Sequence, residues 1–418
     1  MPKSVLIVGG GTFGTSTAYH LSLNPSAYSR ITVLDRFPVP SREAAGNDIN
    51  KVVRADYPET LYARLATEAI AAWRDPKGLY AGLHHQTGWL FAANGPSDWI
   101  QESGATARRL GLEVPEALSA DEIRRRWPML GAGSFPGWST VWNSSAGWAN
   151  ARAGVERQAE AAQKNGVRYV DGAAGHIRKL LFDQTGRCLG AVSADGKAYF
   201  ADVVVVAAGA AAASLLDMKG QLVAKGHTVG HIQLSPAEVR TYAEMPIVSH
   251  REGGLIFPPQ EDGIMKIGAM HFLTNYNGTD LSLPRYRSDR RDDGIPKPIE
   301  KILRKWMKEF LPAEVADRDF CENRICWDAD TVDHHFIIGE HPGHAGLHLA
   351  VGGSGHGFKF LPIIGRYVVD MIEGQLDVDT RQKWRWRPGA TSHGPNPFPT
   401  PLLELSDVPG WGKISPRL

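Results

Sequence analysis

The stretch Val5-Leu6-Ile7-Val8-Gly9-Gly10-Gly11-Thr12-Phe13-Gly14 decides the fold. Its first four residues are an apolar, mostly β-branched run of the kind a buried strand needs, and Thr15 to Leu23 then reads as a helix. Between them the glycines at 9, 11 and 14 have separate duties. One allows a tight turn, one lets the backbone approach a pyrophosphate, and one lets the helix pack close to the strand. The start of the helix offers free N–H groups to phosphate charge. A second apolar run, Ile31 to Leu34, ends in Asp35-Arg36, and an acid placed about 20 residues past such glycines accepts hydrogen bonds from a ribose diol. Strand, glycine turn, helix, strand and acid together predict a site for an ADP-containing dinucleotide, built from Gly9, Gly11, Thr12, Phe13, Gly14, Asp35 and Arg36. FAD and NAD share the ADP half, so this segment does not choose between them.

Two later segments do. Ala201 to Gly209 (ADVVVVAAG) reads as another buried parallel strand ending at a glycine. Leu347 to Gly357 (LHLAVGGSGHG) reads as a third, followed by a glycine-rich turn and the helix Phe360 to Met371. A nucleotide unit assembled from the N-terminus, the middle and the C-terminal third is the organisation of large two-domain flavoproteins, whereas NAD enzymes more often keep the unit contiguous. The expected class is therefore α/β (an α+β composite). A Rossmann-like FAD-binding domain takes residues 1–75, 146–220 and 322–380, a mostly antiparallel-sheet substrate domain takes 76–145 and 221–321, and 381–418 form a C-terminal tail. Further elements follow the same logic. Thr60 to Arg74 is a helix, Ser119-x-x-Glu122 is a capping box opening a short helix to Trp127, and Trp148 to Lys164 is a long helix leading into the strand Val167 to Val170. Strand-like runs at His85–Ala93, Gly230–Leu234, Gly254–Phe257 and Ile264–Gly268 predict the sheet over the flavin, and the polar segment Asp280 to Lys297 a loop over the entrance.

Composition sets outer limits. With 46 Lys+Arg against 45 Asp+Glu in 418 residues, the net charge of +1 argues against a nucleic-acid or membrane-surface partner. The longest apolar stretch, Val203 to Leu216, falls short of the roughly 20 residues a bilayer requires, and the N-terminus lacks the apolar core of a signal peptide. The 3 cysteines, Cys188, Cys321 and Cys326, form no disulfide framework.

With these segments in order the chain resembles the D-amino-acid oxidase superfamily of flavoproteins, in the branch of monomeric sarcosine oxidase, pipecolate oxidase and the fungal fructosyl amino acid oxidases (amadoriases). The resemblance rests on VLIVGGGTFGTSTAYHL at the start, AGNDINKVVRADY at 45–57, AGWANARAG at 146–154, IMKIGAMH at 264–271, ICWDADTVDHHFIIGEHP at 325–342 and GGSGHGFKFLPIIG at 352–365. It implies FAD attached covalently through Cys326, which stands ahead of Phe336 where the family places its flavin-linked cysteine. It implies that the turn holding Gly353, Gly355, His356, Gly357 and Phe358 lies against the flavin, with Gly209, Asn47, Asp48, Asn50 and Lys51 nearby. Asp48 and Asn50 are expected to brace their loop. Lys266 matches the family lysine beside flavin N5, whose charge assists electron transfer to oxygen. Arg54 and Lys359 match the cations that grip a substrate α-carboxylate, an Arg fork and a Lys point charge, with Tyr57 and Met270 as further substrate contacts.

Departures from the pattern shape the expected activity. Amadoriases place a glutamate, and sarcosine oxidases a histidine, where this chain has Met270 followed by His271, and the tail from Trp384 shows no counterpart of the amadoriase arginine for the amino-acid carboxylate. The resemblance implies an FAD-dependent oxidase of the C–N bond of a secondary amine. Its expected substrate is an N-methyl or N-alkyl amino acid of specialised metabolism, giving an imine and hydrogen peroxide, with molecular oxygen as co-substrate. The alternatives are a true fructosyl amino acid oxidase, a saccharopine or pipecolate oxidase, or a dehydrogenase passing electrons to a quinone or protein. His356 and His271 are candidates for proton handling, with a structural role as the competing reading. A monomer is expected, in the cytoplasm or, through the SKL-like ending Pro416-Arg417-Leu418, in the peroxisome.

Overall fold

The computed structural model describes residues 2–131, 133–291, 293–387 and 400–412. The strand Lys3–Val8 sits at the centre of a six-stranded sheet ordered Ile337–Glu340, Leu347–Val351, Val203–Val206, Lys3–Val8, Tyr28–Leu34 and Arg168–Val170. All neighbours run parallel except Ile337–Glu340, which is antiparallel to Leu347–Val351. Successive side chains point to opposite faces, and both faces are covered. Val5, Ile7, Val203 and Val205 enter one core, and Leu6, Val8, Val204 and Val206 enter another. This double burial is why these strands read as continuous apolar runs. The helix Thr12–Ser22 lies across the first core and meets the helix Ile364–Ile372. They approach so closely that a Cβ on Gly365 would sit 2.0 Å from the Ser16 carbonyl oxygen. Ser16 locks the pair, its hydroxyl donating to Leu361 O at 2.7 Å and accepting from Gly365 N at 2.8 Å.

The second half is a nine-stranded, mostly antiparallel sheet with the helix Lys297–Met307 on one side, where Ile299, Leu303, Trp306 and Met307 join the core. Its strands Glu322–Thr331, Leu222–Gln233 and Ile264–Thr274 lie side by side and form the wall that faces the nucleotide half. Among the described residues there are two smaller sheets, one of them uniting Lys51–Val53, Gly147–Ala149 and His84–His85.

Several sequence-based boundaries move. The strand Glu322–Thr331 pairs with Leu222–Gln233 in the larger sheet, whereas the sequence reading assigns residues from 322 to the nucleotide half. The helix expected from Trp148 starts at Ala151, because Gly147–Ala149 is drawn into strand pairing with Lys51–Val53 and Asn150 caps the helix. The run seen at Gly230–Leu234 is the end of a strand that starts at Leu222, and the run at Ile264–Gly268 continues to Thr274. The helix expected from Phe360 starts at Ile364, after a 3-10 turn at Phe358–Phe360. The capping box is present, with Ser119 N–H donating to Glu122 Oε2 at 2.7 Å and Glu122 N–H to Ser119 Oγ at 3.3 Å.

Candidate active site

A cavity of about 700 Å³ lies between the two halves. Its floor is the turn after the first strand. Gly9 has φ +108°, in the region that favours glycine, and a Cβ on Gly14 would lie 1.8 Å from the Gly9 carbonyl oxygen, so the helix packs onto the turn as its third glycine requires. The helix Thr12–Ser22 has Gly11 at its N-cap and no side-chain cap, which leaves its first N–H groups to a ligand. Gly9, Gly11, Thr12, Phe13, Asp35, Arg36, Lys51 and Gly209 line the space, as do Gly353, Gly355, Gly357 and Phe358, Gly357 lying against the Phe13 ring. Gly14, Asn47, Asp48, Asn50, Cys326, His356 and Lys359 are not among the lining residues, although Trp327 and Asp328 beside Cys326 are. Asp35 accepts from Gly10 N–H at 2.8 Å and from the Ser41 hydroxyl at 2.7 Å, which fixes its carboxylate at the edge of the cavity. Arg36 pairs instead with Asp289, which also lines the cavity. The loop Asp280 to Lys297 does border the cavity, through Leu281, Leu283, Tyr286 and Asp289 among others.

These features fit a dinucleotide. The uncapped helix start and the glycine cradle, where a Cβ on Gly9 would lie 2.5 Å from the Ala207 carbonyl oxygen, suit its phosphates.

Behind the lining residue Lys51 a buried group of charges is organised by Asp48. Its Oδ2 stands 2.6 Å from Lys266 Nζ and 3.0 Å from Lys51 Nζ. Burial works against this carboxylate, but the two ammonium groups hold it well below the usual carboxylate range. Lys266, on the strand Ile264–Thr274, also donates to Asn50 O at 2.7 Å, and burial pushes its pKa down to about 8 against the opposing pull of Asp48. Cys326 is 6% exposed, directly opposite His227 in the strand register. Among the other cysteines, Cys188 is buried and Cys321 exposed.

A second group forms around Tyr57. Lys359 Nζ donates to Tyr57 Oη at 2.6 Å and to His356 O at 2.9 Å. The guanidinium carbon of Arg54 lies 4.8 Å from the centre of the same tyrosine ring, and 4.6 and 5.1 Å from Trp89 and Trp99. His356 Nε2 lies 2.9 Å from the His334 carbonyl, which only accepts, so Nε2 carries the hydrogen. His356 Nδ1 then accepts from Tyr57 at 3.3 Å, and the tyrosine oxygen stays open to Lys359. Burial, reinforced by Arg54, drives the Lys359 pKa well below the lysine range, and burial with Lys359 does the same to His356. Among the described residues no carboxylate lies within ion-pair distance of Arg54 or Lys359. Asp56, the nearest candidate, gives its carboxylate to Asn143 Nδ2 at 2.8 and 2.9 Å and only its backbone oxygen to Arg54.

Met270 is half-buried and held by its backbone, with N–H to Gly253 O at 3.2 Å and its oxygen accepting from Thr400 at 2.6 Å. His271 Nδ1 is buried without a partner and burial lowers its pKa. The tail positions 388–399 and 413–418, including Pro416-Arg417-Leu418, lie outside the described residues. Sequence reasoning missed Arg324, which donates to Asn47 O and Arg42 O and so ties the 42–48 loop to the wall, and it missed Asp328. Asp328 lies two residues after Cys326 in the string ICWDAD, where the family pattern implies a role for the cysteine alone.

The family model described as "FAD dependent oxidoreductase" (DAO) matches residues 4–371. The chain is 33% identical to L-saccharopine oxidase of Schizosaccharomyces pombe, across 93% of this chain and 94% of that protein. Among solved structures, it matches the Aspergillus fumigatus fructosamine oxidase Amadoriase II at TM-score 0.88 and 35% identity, covering 100% of this chain and 98% of that one. A modified fructosyl peptide oxidase from Aspergillus nidulans matches at TM-score 0.89 and 31% identity, covering 98% and 99%.

Proposed function

The chain belongs to the family of FAD dependent oxidoreductases, and from that premise we infer that it is an oxidase of secondary amines that grips the carboxylate of an N-alkyl amino acid between Arg54 and Lys359. The observation that carries the reading is the pair of cations on Tyr57 with only neutral hydrogen-bond partners and no carboxylate nearer than the longer-range pull of Asp56, since positive charge so poorly compensated is costly until an anion arrives. FAD, when bound, takes two electrons from the C–N bond and passes them to molecular oxygen, giving an imine and hydrogen peroxide. The chain's residues do the rest. Arg54 contributes a planar fork and Lys359 a third N–H that its two neutral acceptors leave unused, so together they orient one carboxylate. The low pKa of Lys359 rises again when a carboxylate docks, so binding charges the site that holds it. Tyr57, Trp89 and Trp99 wall Arg54 from water, which strengthens its grip. Met270 lends an apolar surface in keeping with an alkyl group on the nitrogen rather than a sugar. Lys266, buried and tied to Asp48 and Asn50 O, is the fixed positive charge beside which oxygen is reduced. Cys326 attaches the flavin through its sulfur, and the enzyme acts as a monomer in the peroxisome or cytoplasm.

The test is to mix the yellow protein anaerobically with sarcosine, other N-methyl amino acids, pipecolate, saccharopine and fructosyl-glycine, and to follow loss of the oxidised-flavin absorbance. Bleaching by N-alkyl or cyclic amino acids, and its loss in Arg54→Gln, is the expected result. Bleaching by fructosyl-glycine alone identifies an amadoriase, and bleaching by none overturns the reading.

A further inference from the structure

One carboxylate on the cavity wall enters no ion pair. Asp328, on the strand Glu322–Thr331, lines the cavity, and among the described residues no salt bridge reaches it. Its Oδ2 accepts from Gly355 N–H at 2.6 Å and its Oδ1 from Ala329 N–H at 2.8 Å. The first of these bonds pins a turn that needs pinning. Gly352, Ser354 and Gly355 have φ of +81°, +48° and +72°, left-handed backbone that is costly at the serine. The strand holds this turn at two further points, with Ser354 N–H donating to Ala329 O at 3.0 Å and Thr331 N–H to Ser354 Oγ at 3.1 Å.

The other charged and titratable groups around Asp328 are engaged elsewhere. Cys326 and Asp330 flank it on its own strand, and Asp330 Oδ2 pairs at 3.1 Å with Lys225, the residue directly opposite Asp328 in the register. Lys51 pairs with Asp48 at 3.0 Å. His227, opposite Cys326 and beside Gly355, adds no charge, because burial takes its pKa down to about 4. On the turn and just past it, His356 is bonded to the His334 carbonyl and to Tyr57, and Lys359 to Tyr57 and the His356 carbonyl. Asp328 is therefore a negative charge without a cation of its own, and burial, followed by repulsion from Asp330, raises its pKa to about 6.

Sheet order decides which part of a dinucleotide this carboxylate faces. Asp35 follows the strand Tyr28–Leu34 on one side of Lys3–Val8, and Gly352 follows Leu347–Val351, two strands away on the other side. With the ADP half over the helix start and Asp35, the remaining half extends to Gly353–Phe358 and Asp328, which line the same cavity.

We infer that Asp328 is a positioning residue for the flavin half, fixing the turn against which that half lies, and that its charge opposes the arrival of electrons there, so that it takes up a proton when the flavin is reduced. This deepens the flavin-oxidase reading and rests on it. A neutral secondary amine loses two electrons and two protons as it becomes an imine. The flavin keeps both electrons and one proton, Asp328 keeps the other proton, and the buried site gains no net charge.

The test is the reduction potential of the flavin, read by equilibrating the holoenzyme anaerobically with reference dyes between about pH 5 and pH 8.5. Wild type and Asp328→Asn should agree at the acid end, where the aspartate is already neutral, and part as pH rises through about 6. Near pH 8 the wild type should be the harder to reduce by at least tenfold in the equilibrium constant, about 30 mV. Lys266 titrates in this range too, but in both proteins alike, so the difference isolates position 328. A gap of the same size at every pH is the mark of a purely structural residue, and that result, a gap of opposite sign, or no gap overturns the assignment. If the variant fails to fold, the wild type decides: reduction slightly above neutral pH should add a protonated-aspartate carbonyl band to the infrared difference spectrum, and the lack of such a band overturns the assignment. Dyes rather than amines deliver the electrons, so this result stands apart from the amine panel, whose failure would remove the oxidase reading.

Discussion

At the scale of single residues, the site is governed by which buried charges have partners. Lys266 and Lys51 share one carboxylate, so neither carries a full counter-charge, and Lys266 titrates near pH 8 rather than in the ordinary lysine range. A depressed lysine pKa means that the charge is present below about pH 8 and lost above it. Reoxidation of the reduced enzyme by oxygen should therefore slow as pH rises through that value. Lys266→Met should slow reoxidation at neutral pH at least tenfold, change flavin reduction by amine far less, and remove the pH dependence. Stopped-flow mixing of reduced enzyme with oxygenated buffers measures this, and equal effects on both half-reactions would remove the role given to Lys266. For Cys326 the expectation concerns a bond: acid precipitation of the wild type should leave the yellow colour in the pellet, and Cys326→Ala should release it to the supernatant. A chromophore still bound to the Cys326→Ala protein would refute the thioether.

Among elements, the helix ends were the most readable features and the polar strands the least. The capping box at Ser119 is a short-range pattern whose partners are three residues apart in the chain, so local sequence contains all of it. Ser119→Ala should cost about 1 kcal/mol, read as a lowered denaturant midpoint with an unchanged slope. A loss below about 0.3 kcal/mol would mean that the helix Ala120–Arg126 is held by packing of Ile123 alone. The strand Leu222–Gln233 shows the opposite case. Lys225, Gly226 and His227 interrupt its apolar pattern, and only its last residues read as a strand. Those polar residues are there because this face meets the acids of Glu322–Thr331 instead of a hydrophobic layer, which no periodicity within the strand announces.

For the whole molecule the deciding feature is that the cavity is bounded by both halves, from Gly9–Phe13 on one side to Asn275–Arg290 and Trp327–Ala329 on the other. A ligand there joins them, and binding to the folded state alone stabilises it by mass action. Protein produced under riboflavin limitation should melt several degrees below the flavin-loaded form, since only the loaded form gains the contacts a cofactor makes with both halves. It should also be cleaved sooner by protease in the 275–290 segment, whose exposed tie, Arg36 to Asp289, contributes little by itself. Identical melting and cleavage of the two forms would mean that the halves hold together without the cofactor. We propose the discontinuous two-domain division on this basis, with the strand Glu322–Thr331 moved to the larger sheet in which it pairs.

Much of this was legible in the chain because it is encoded locally. The strand, glycine turn and helix at residues 3–22 depend on neighbours a few positions apart, and so do the double-faced apolar runs at Val203–Val206 and Leu347–Val351. The motif strings likewise single out Arg54, Lys359, Lys266 and Cys326 as candidates. What required the tertiary structure was the pairing of charges. That Lys359 would bond Tyr57, 302 positions away, that Asp48 would hold Lys266, 218 positions away, and that Asp328 would be left without a cation follow from which strands and loops are brought side by side. A buried charge takes its chemistry from the neighbours within a few ångströms, and along the chain those neighbours are hundreds of residues apart.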